Sequence, residues 1–284
     1  MLLGYVAIVT ASVLWSLSPA LISRYRRYIK PITFTGLRAA IATITLGSLL
    51  LGRDTSLNLS PPSIIIVVSS ALIGPGIGDV FYVKSIQILG GFLAVILAYT
   101  YIFTAQALAV LALGESMKIV LVTGSLISFT GVVVAVSSSV SGFRFKASGI
   151  ACAIITSITW GVSTLMVKVA LGFVDELALT TLRLLTISTA FLPLGLLSEG
   201  PPPKDSVKSL LFAAALTATL DWTVGMYFFV HSINVIGVSA TAVATALTPV
   251  LSTITTKALA REKPSIRSIA GALLTSTGIL ITAL

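Results

Sequence analysis

From Pro31 to Leu51 the chain is apolar except for one arginine, in Thr35-Gly36-Leu37-Arg38, and the pattern returns as Thr180-Thr181-Leu182-Arg183. A tryptophan precedes each arginine by 23 residues, Trp15 before Arg38 and Trp160 before Arg183. Downstream, Glu115, Gly124, Leu126, Thr130 and Gly131 recur 147 positions later as Glu262, Gly271, Leu273, Thr277 and Gly278. A unit of roughly 140 residues is therefore written twice, and such repetition constrains the fold before any local propensity is read.

The repeated runs are too apolar for a protein in water. Only 10% of residues are charged and mean hydropathy is +1.07, against about one quarter charged in soluble domains. A bilayer core needs ~20 apolar residues per helical span. Ten spans fit, over residues 4–22, 31–51, 62–83, 86–111, 116–138, 147–168, 177–197, 207–230, 234–257 and 266–284. They are helical because a chain in hydrocarbon must satisfy its own backbone groups, and the alternating pattern of a barrel strand is missing. The predicted class is an all-α integral membrane protein with ten transmembrane helices. Five spans per copy is odd, so the second copy enters from the opposite side. The chain then consists of two inverted five-helix repeats, 1–142 and 143–284. Folds of this kind hold cargo near the midplane, between the halves.

The net charge of +9 sits in short loops, which reads as an orientation signal and not as a nucleic-acid surface. Arg24, Arg26, Arg27 and Lys30 fall on the same side as Lys257, Arg261, Lys263 and Arg267. The positive-inside rule puts that side in the cytoplasm and both termini outside. The opening Met1-Leu2-Leu3-Gly4 lacks a basic stretch and reads as a retained span. Cys152 is the one cysteine. With no Walker loop, HExxH or cysteine cluster, no cofactor and no metal are expected.

Charges inside spans are costly and mark function. Arg38 and Asp79 lie at depths that let them meet, as do Arg183 and Asp221 near the other leaflet, so two Arg–Asp pairs are predicted. Trp15 and Trp160 are mid-span, where interfacial anchoring does not apply. With Ser18, Tyr82, Tyr99, Ser163, Asp221, Tyr227, Thr245 and Thr248 they form the expected substrate cavity. Pro75 and Pro249 are expected hinges, because an internal proline removes a helical hydrogen bond. Asp221 and His231 are the candidate proton carriers. Glu115 and Glu262 are expected to cap the N-termini of the helices they open, and the Gly124/Gly131 and Gly271/Gly278 faces to pack together.

Gly76-Ile77-Gly78-Asp79 also matches the GxGD signature of intramembrane aspartyl proteases. Two aspartates sharing a proton would then be required. Asp221, the other deep aspartate, falls toward the opposite leaflet in this topology and follows the motif instead of preceding it. An enzyme is therefore disfavoured.

The order and double occurrence of these motifs resemble ten-helix EamA-type members of the drug/metabolite transporter superfamily. The resemblance rests on Ala11-Ser12-Val13-Leu14-Trp15-Ser16 and Thr159-Trp160-Gly161, then Leu37-Arg38-Ala39 and Leu182-Arg183. It continues in Gly114-Glu115-Ser116, Arg261-Glu262-Lys263 and Thr248-Pro249-Val250. It implies a secondary transporter of small metabolites (amino acids, nucleobase-like or drug-like solutes), an exporter or exchanger in the plasma membrane with both termini inside. An uncoupled facilitator is the alternative. The first helix carries Leu14-Trp15-Ser16-Leu17 and lacks the proton-coupling glutamate of four-helix relatives. The expected partners are a small-molecule substrate and the lipid bilayer, with no nucleic acid, and a monomer is compatible with this reading.

Overall fold

The computed structural model describes residues 1–52, 60–114, 119–140, 146–202, 204–263 and 265–281. Among them the regular structure is helical throughout. Eight helices are long and apolar enough to cross a membrane. In chain order these are α1 (Leu2–Tyr25), α2 (Pro31–Leu51), α3 (Pro61–Leu89), α4 (Gly91–Leu113), α6 (Ala147–Ala170), α7 (Glu176–Glu199), α8 (Ser206–Ile236) and α9 (Val238–Ala260). Two more helices, α5 (Ile119–Val140) and α10 (Ile266–Ile281), lie against each other. Large apolar side chains such as Leu49, Ile65, Leu111, Phe129, Leu197 and Ile254 are exposed on the outside, as a lipid-facing surface requires.

Lipid is as apolar as leucine, so these helices associate through close packing and not through the hydrophobic effect. Small residues sit where the approach is closest. A methyl at Gly36 in α2 would lie 2.3 Å from the Leu192 nitrogen of α7, and one at Gly195 in α7 would lie 2.5 Å from the Thr33 nitrogen of α2. Between α5 and α10, Gly131 abuts Thr275 and Gly271 abuts Ala135, while Ser128 Oγ donates to the Thr275 carbonyl at 2.8 Å. That is the small-residue contact expected from the glycine spacing.

Contacts between the halves are reciprocal. Helix α1 packs on α8 and α9, and α6 packs on α3 and α4. Ser232 Oγ donates to the Gly4 carbonyl at 3.0 Å, and Ser85 Oγ to the Gly149 carbonyl at the same distance. Irregular features recur at matching places. A π-helical stretch interrupts α3 at Leu72–Gly78 and α8 at Ala218–Gly225. Glycines with positive φ, Gly90 at 88° and Gly237 at 85°, turn the chain into α4 and α9.

Two sequence expectations change here. Pro249 stands in the first turn of a new helical segment, Leu247–Ala260, where an N–H has no helical partner in any case. The interruption of α9 falls earlier, at Thr245–Ala246, and α4 breaks at Tyr99–Thr100 with no proline at all. Glu262 caps a helix, but not its own. Its carboxylate accepts from Gly91 N (2.7 Å), Phe92 N (3.0 Å) and Ser23 Oγ (2.5 Å), at the start of α4. Glu199 does the same for α2, accepting from Ile32 N at 3.0 Å and Thr33 N at 2.8 Å. Both carboxylates sit where helix N-termini favour negative charge, and both tie one half to the other. Glu115 lies outside the described residues.

Candidate functional site

Among the described residues the deepest charged one is Arg38. It lies on the buried face of α2, fully shielded from solvent. The Phe34 ring, one helical turn before it, stands 4.7 Å from the guanidinium carbon, and the Trp222 ring of α8 stands 4.5 Å from it. Two carboxylates meet the same guanidinium. Nη2 donates to Asp79 Oδ2 at 2.7 Å, and Nη1 to Asp221 Oδ2 at 3.4 Å.

The second predicted pair therefore does not form. Asp221 goes to Arg38, not to Arg183. The π-helical stretches explain the placement. Asp221 lies inside the one in α8, and Asp79 directly follows the one in α3. An i→i+5 turn rotates side chains relative to a regular helix, so both acids point at one arginine. They do not lie at opposite leaflets.

Arg183 is only 3% exposed. Its Nη2 donates to Ser163 Oγ at 2.9 Å and to the Ser70 carbonyl at 3.4 Å. Pro75, five residues on, has no N–H to donate to that carbonyl. Ser163 Oγ also donates to it, at 2.8 Å. Pro75 itself lies in the cavity wall.

The two tryptophans are placed reciprocally. Trp160 of α6 lies over Gly78, where an added methyl would come within 2.7 Å of its ring, and its Nε1 donates to Asp79 Oδ1 at 3.1 Å. Trp15 of α1 lies over Gly225, where the same methyl would come within 2.5 Å, and its Nε1 donates to the Asp221 carbonyl at 3.1 Å. Each therefore packs against a glycine of the other half and fixes the segment carrying an acid.

Between them is a cavity of about 90 Å³, room for roughly half a dozen waters. Of the residues singled out in the sequence, Trp15, Ser18, Pro75, Asp79, Tyr82, Tyr99, Trp160, Ser163, Arg183 and Asp221 line it. Three expected cavity residues do not. Thr245 bonds the Tyr101 hydroxyl at 2.9 Å, Thr248 donates to the Ser12 carbonyl at 3.4 Å, and Tyr227 stacks on His231. His231 also lies away from the cavity, with Nδ1 2.7 Å from Glu176 Oε2. Asn234 donates to the other Glu176 oxygen at 2.7 Å.

Sequence reading missed the aromatic shell of Arg38 and the Trp222, Met226 and Phe229 wall. The i, i+4 spacing of Phe34 and Arg38 was a usable signal, since it puts both on one helix face. The wall residues follow from the α1–α8 contact, which no local pattern encodes.

The cavity does not support an aspartyl dyad. Asp79 and Asp221 do converge, against expectation, but each carboxylate is bonded to a different nitrogen of Arg38, whereas the dyad needs two acids sharing one proton. Apolar exterior, close-packed helices and a buried charged cavity together define a multi-pass integral membrane protein built around an internal solute-sized space. The sequence profile of the EamA-like transporter family matches residues 2–137 and again 147–284. The chain belongs to that family, consistent with the drug/metabolite transporter superfamily, and is a membrane transporter and not an enzyme. It is similar to the uncharacterized transporter YvbV of Bacillus subtilis (strain 168), 27% identical over 277 residues, covering 94% of this chain and 86% of that one. A crystal structure at 20% identity superposes with a TM-score of 0.77 over 98% of this chain and 95% of its own, a likeness of fold.

Proposed function

We propose that the chain is a secondary transporter of small solutes in the plasma membrane, acting as an exporter or exchanger. In this reading all ten helices span the bilayer. The two five-helix halves, 1–142 and 143–284, are inverted relative to each other and open alternately to the two sides. The reciprocal contacts, the paired π-helical stretches and the twofold family match support the inversion. The observation that carries the function is the cavity itself. It gathers Asp79, Arg183, Asp221 and two mid-span tryptophans at the junction of the halves, with Arg38 bonded behind the two acids, inside an otherwise apolar bundle. Pro75 serves as a hinge in the α3 wall. Of the two expected proton carriers only Asp221 faces cargo, so a coupling proton is assigned to it.

The test is flux in proteoliposomes. Ser18 is buried and lines the cavity beside Asp221, and Ser18→Leu adds bulk there while keeping every charged residue. Saturable uptake is expected in the native protein and a loss of about ten-fold or more in Ser18→Leu, with the variant still recovered folded and monodisperse. Equal flux through both would exclude the cavity as the path. Counterflow separates a carrier from a channel-like permease, and accumulation driven by an imposed proton gradient separates a coupled carrier from an uncoupled facilitator.

A further inference from the structure

We propose that Arg183 is the receptor for a carboxylate carried by the cargo, and this rests on the transport reading above. The two buried arginines differ in kind. Arg38 is neutralised by two aspartates. Arg183 has no acidic partner among the described residues, and its Nε has no hydrogen-bond partner. Its two acceptors, a serine hydroxyl and a backbone carbonyl, are uncharged. Arginine does not deprotonate to escape burial, and an isolated buried charge is costly. The remaining cavity charges cannot relieve it, because Asp79 and Asp221 are committed to Arg38.

A guanidinium that lines a cavity, with Nη2 on uncharged acceptors and Nε unpartnered, suits a carboxylate, whose two oxygens match its fork. Ser163 and the Ser70 carbonyl fix its orientation. The rest of the cavity states what the carboxylate is attached to. Tyr82 and Tyr99 stand 4.9 and 6.0 Å from the Trp160 ring, and Phe229 stands 5.3 Å from Trp15. These walls accept an apolar or aromatic body. The ligand class is a small organic acid with such a body. It is either a simple monocarboxylate or a zwitterion whose ammonium faces Asp221, the acid held less closely by Arg38.

Binding to the purified full-length protein, followed by melting temperature or calorimetry, tests this. The probes are 3-phenylpropionate, L-phenylalanine, the primary amide of each, and 2-phenylethylamine. At least one acid is expected to bind about ten-fold or more tightly than its own amide, as loss of one charge-assisted pair implies. Arg183→Gln is expected to bring that acid-to-amide ratio close to one, and Arg183→Lys to keep part of it. A purely structural role for Arg183 would lower stability without moving the ratio. Preference for phenylalanine, lost in Asp221→Asn, identifies the zwitterion; preference for phenylpropionate identifies the simple acid. Amides binding as well as acids in the native protein, an unchanged ratio in Arg183→Gln, or no binding by any probe overturns the carboxylate assignment. Blocked flux in Ser18→Leu would still uphold the transport path. If Arg183→Gln does not fold, the native ratio and Arg183→Lys decide.

Discussion

Arg38→Met is expected to be the most damaging single substitution, with little folded protein recovered from the membrane. Arg38 is fully buried and is the shared partner of Asp79 and Asp221. Removing it leaves two carboxylates facing each other across a site that excludes bulk water. Breaking a buried pair from one side costs about 3–5 kcal/mol, and here two acids lose their partner at once. The guanidinium contacts to Phe34 and Trp222 go as well. A typical protein has only about 5–15 kcal/mol in total. Methionine keeps an unbranched apolar stem, so the packing of that stem is largely retained and the loss falls on the charge and the guanidinium contacts. The control is the triple variant Arg38→Met, Asp79→Asn, Asp221→Asn. With all three charges gone most of the stability should return, while flux stays abolished. Monodisperse yield in detergent and melting temperature read both outcomes. A stable Arg38→Met single variant would mean that the charges are not coupled as the distances indicate.

The second large effect is expected at Gly225 and Gly78. A methyl at Gly225 would stand 2.5 Å from Trp15 Nε1 and 3.3 Å from the Leu220 carbonyl, and at Gly78 the clash is with Thr159 and Trp160. A tryptophan ring cannot bend away, so it must move into the cavity or push the π-helical segment aside. Overpacking costs about 1–3 kcal/mol. The functional cost should be larger, because the same movement breaks the indole bond that positions an acid. Gly225→Ala is expected to reduce flux by about a hundred-fold at a modest loss of melting temperature. Trp15→Phe in the same chain should restore part of it by making room. That pair forms a double-mutant cycle with a favourable coupling, as expected for residues in contact. Additive losses would place the Gly225 defect elsewhere.

Much of the site was legible because buried charge is rare. Arg38, Arg183, Asp79 and Asp221 stand out in apolar runs, and the recurring Trp-to-Arg spacing picks out Trp15 and Trp160. Partner choice was not legible. Counting residues along a span gives depth but not the direction a side chain faces, and Asp221 is deep enough to serve either arginine. The π-helical turn that decides the matter adds a residue to one turn, which hydropathy does not register. Pro249 misled for a related reason. It marks the first turn of a helix whose break, at Thr245–Ala246, carries no proline. Glu262 shows the limit of local capping rules, since its carboxylate serves a helix 171 residues away in sequence. Thr245 and Thr248 are polar and mid-span, as a cavity residue would be, yet Thr245 bonds its own helix at the Ala242 carbonyl and the Tyr101 hydroxyl, and Thr248 the Ser12 carbonyl.

Whether solute passes between the halves is read most directly by thiol accessibility. Single cysteines replace Ser18 and Thr164, which line the cavity from α1 and α6, in a Cys152→Ser background. Membrane-impermeant thiol reagents are then applied to oriented vesicles from each side in turn. Alternate opening around this cavity predicts that both cysteines react from both sides, and more slowly when a transported solute is present. Cysteines that react from neither side, or from one side only and indifferently to solute, would contradict it.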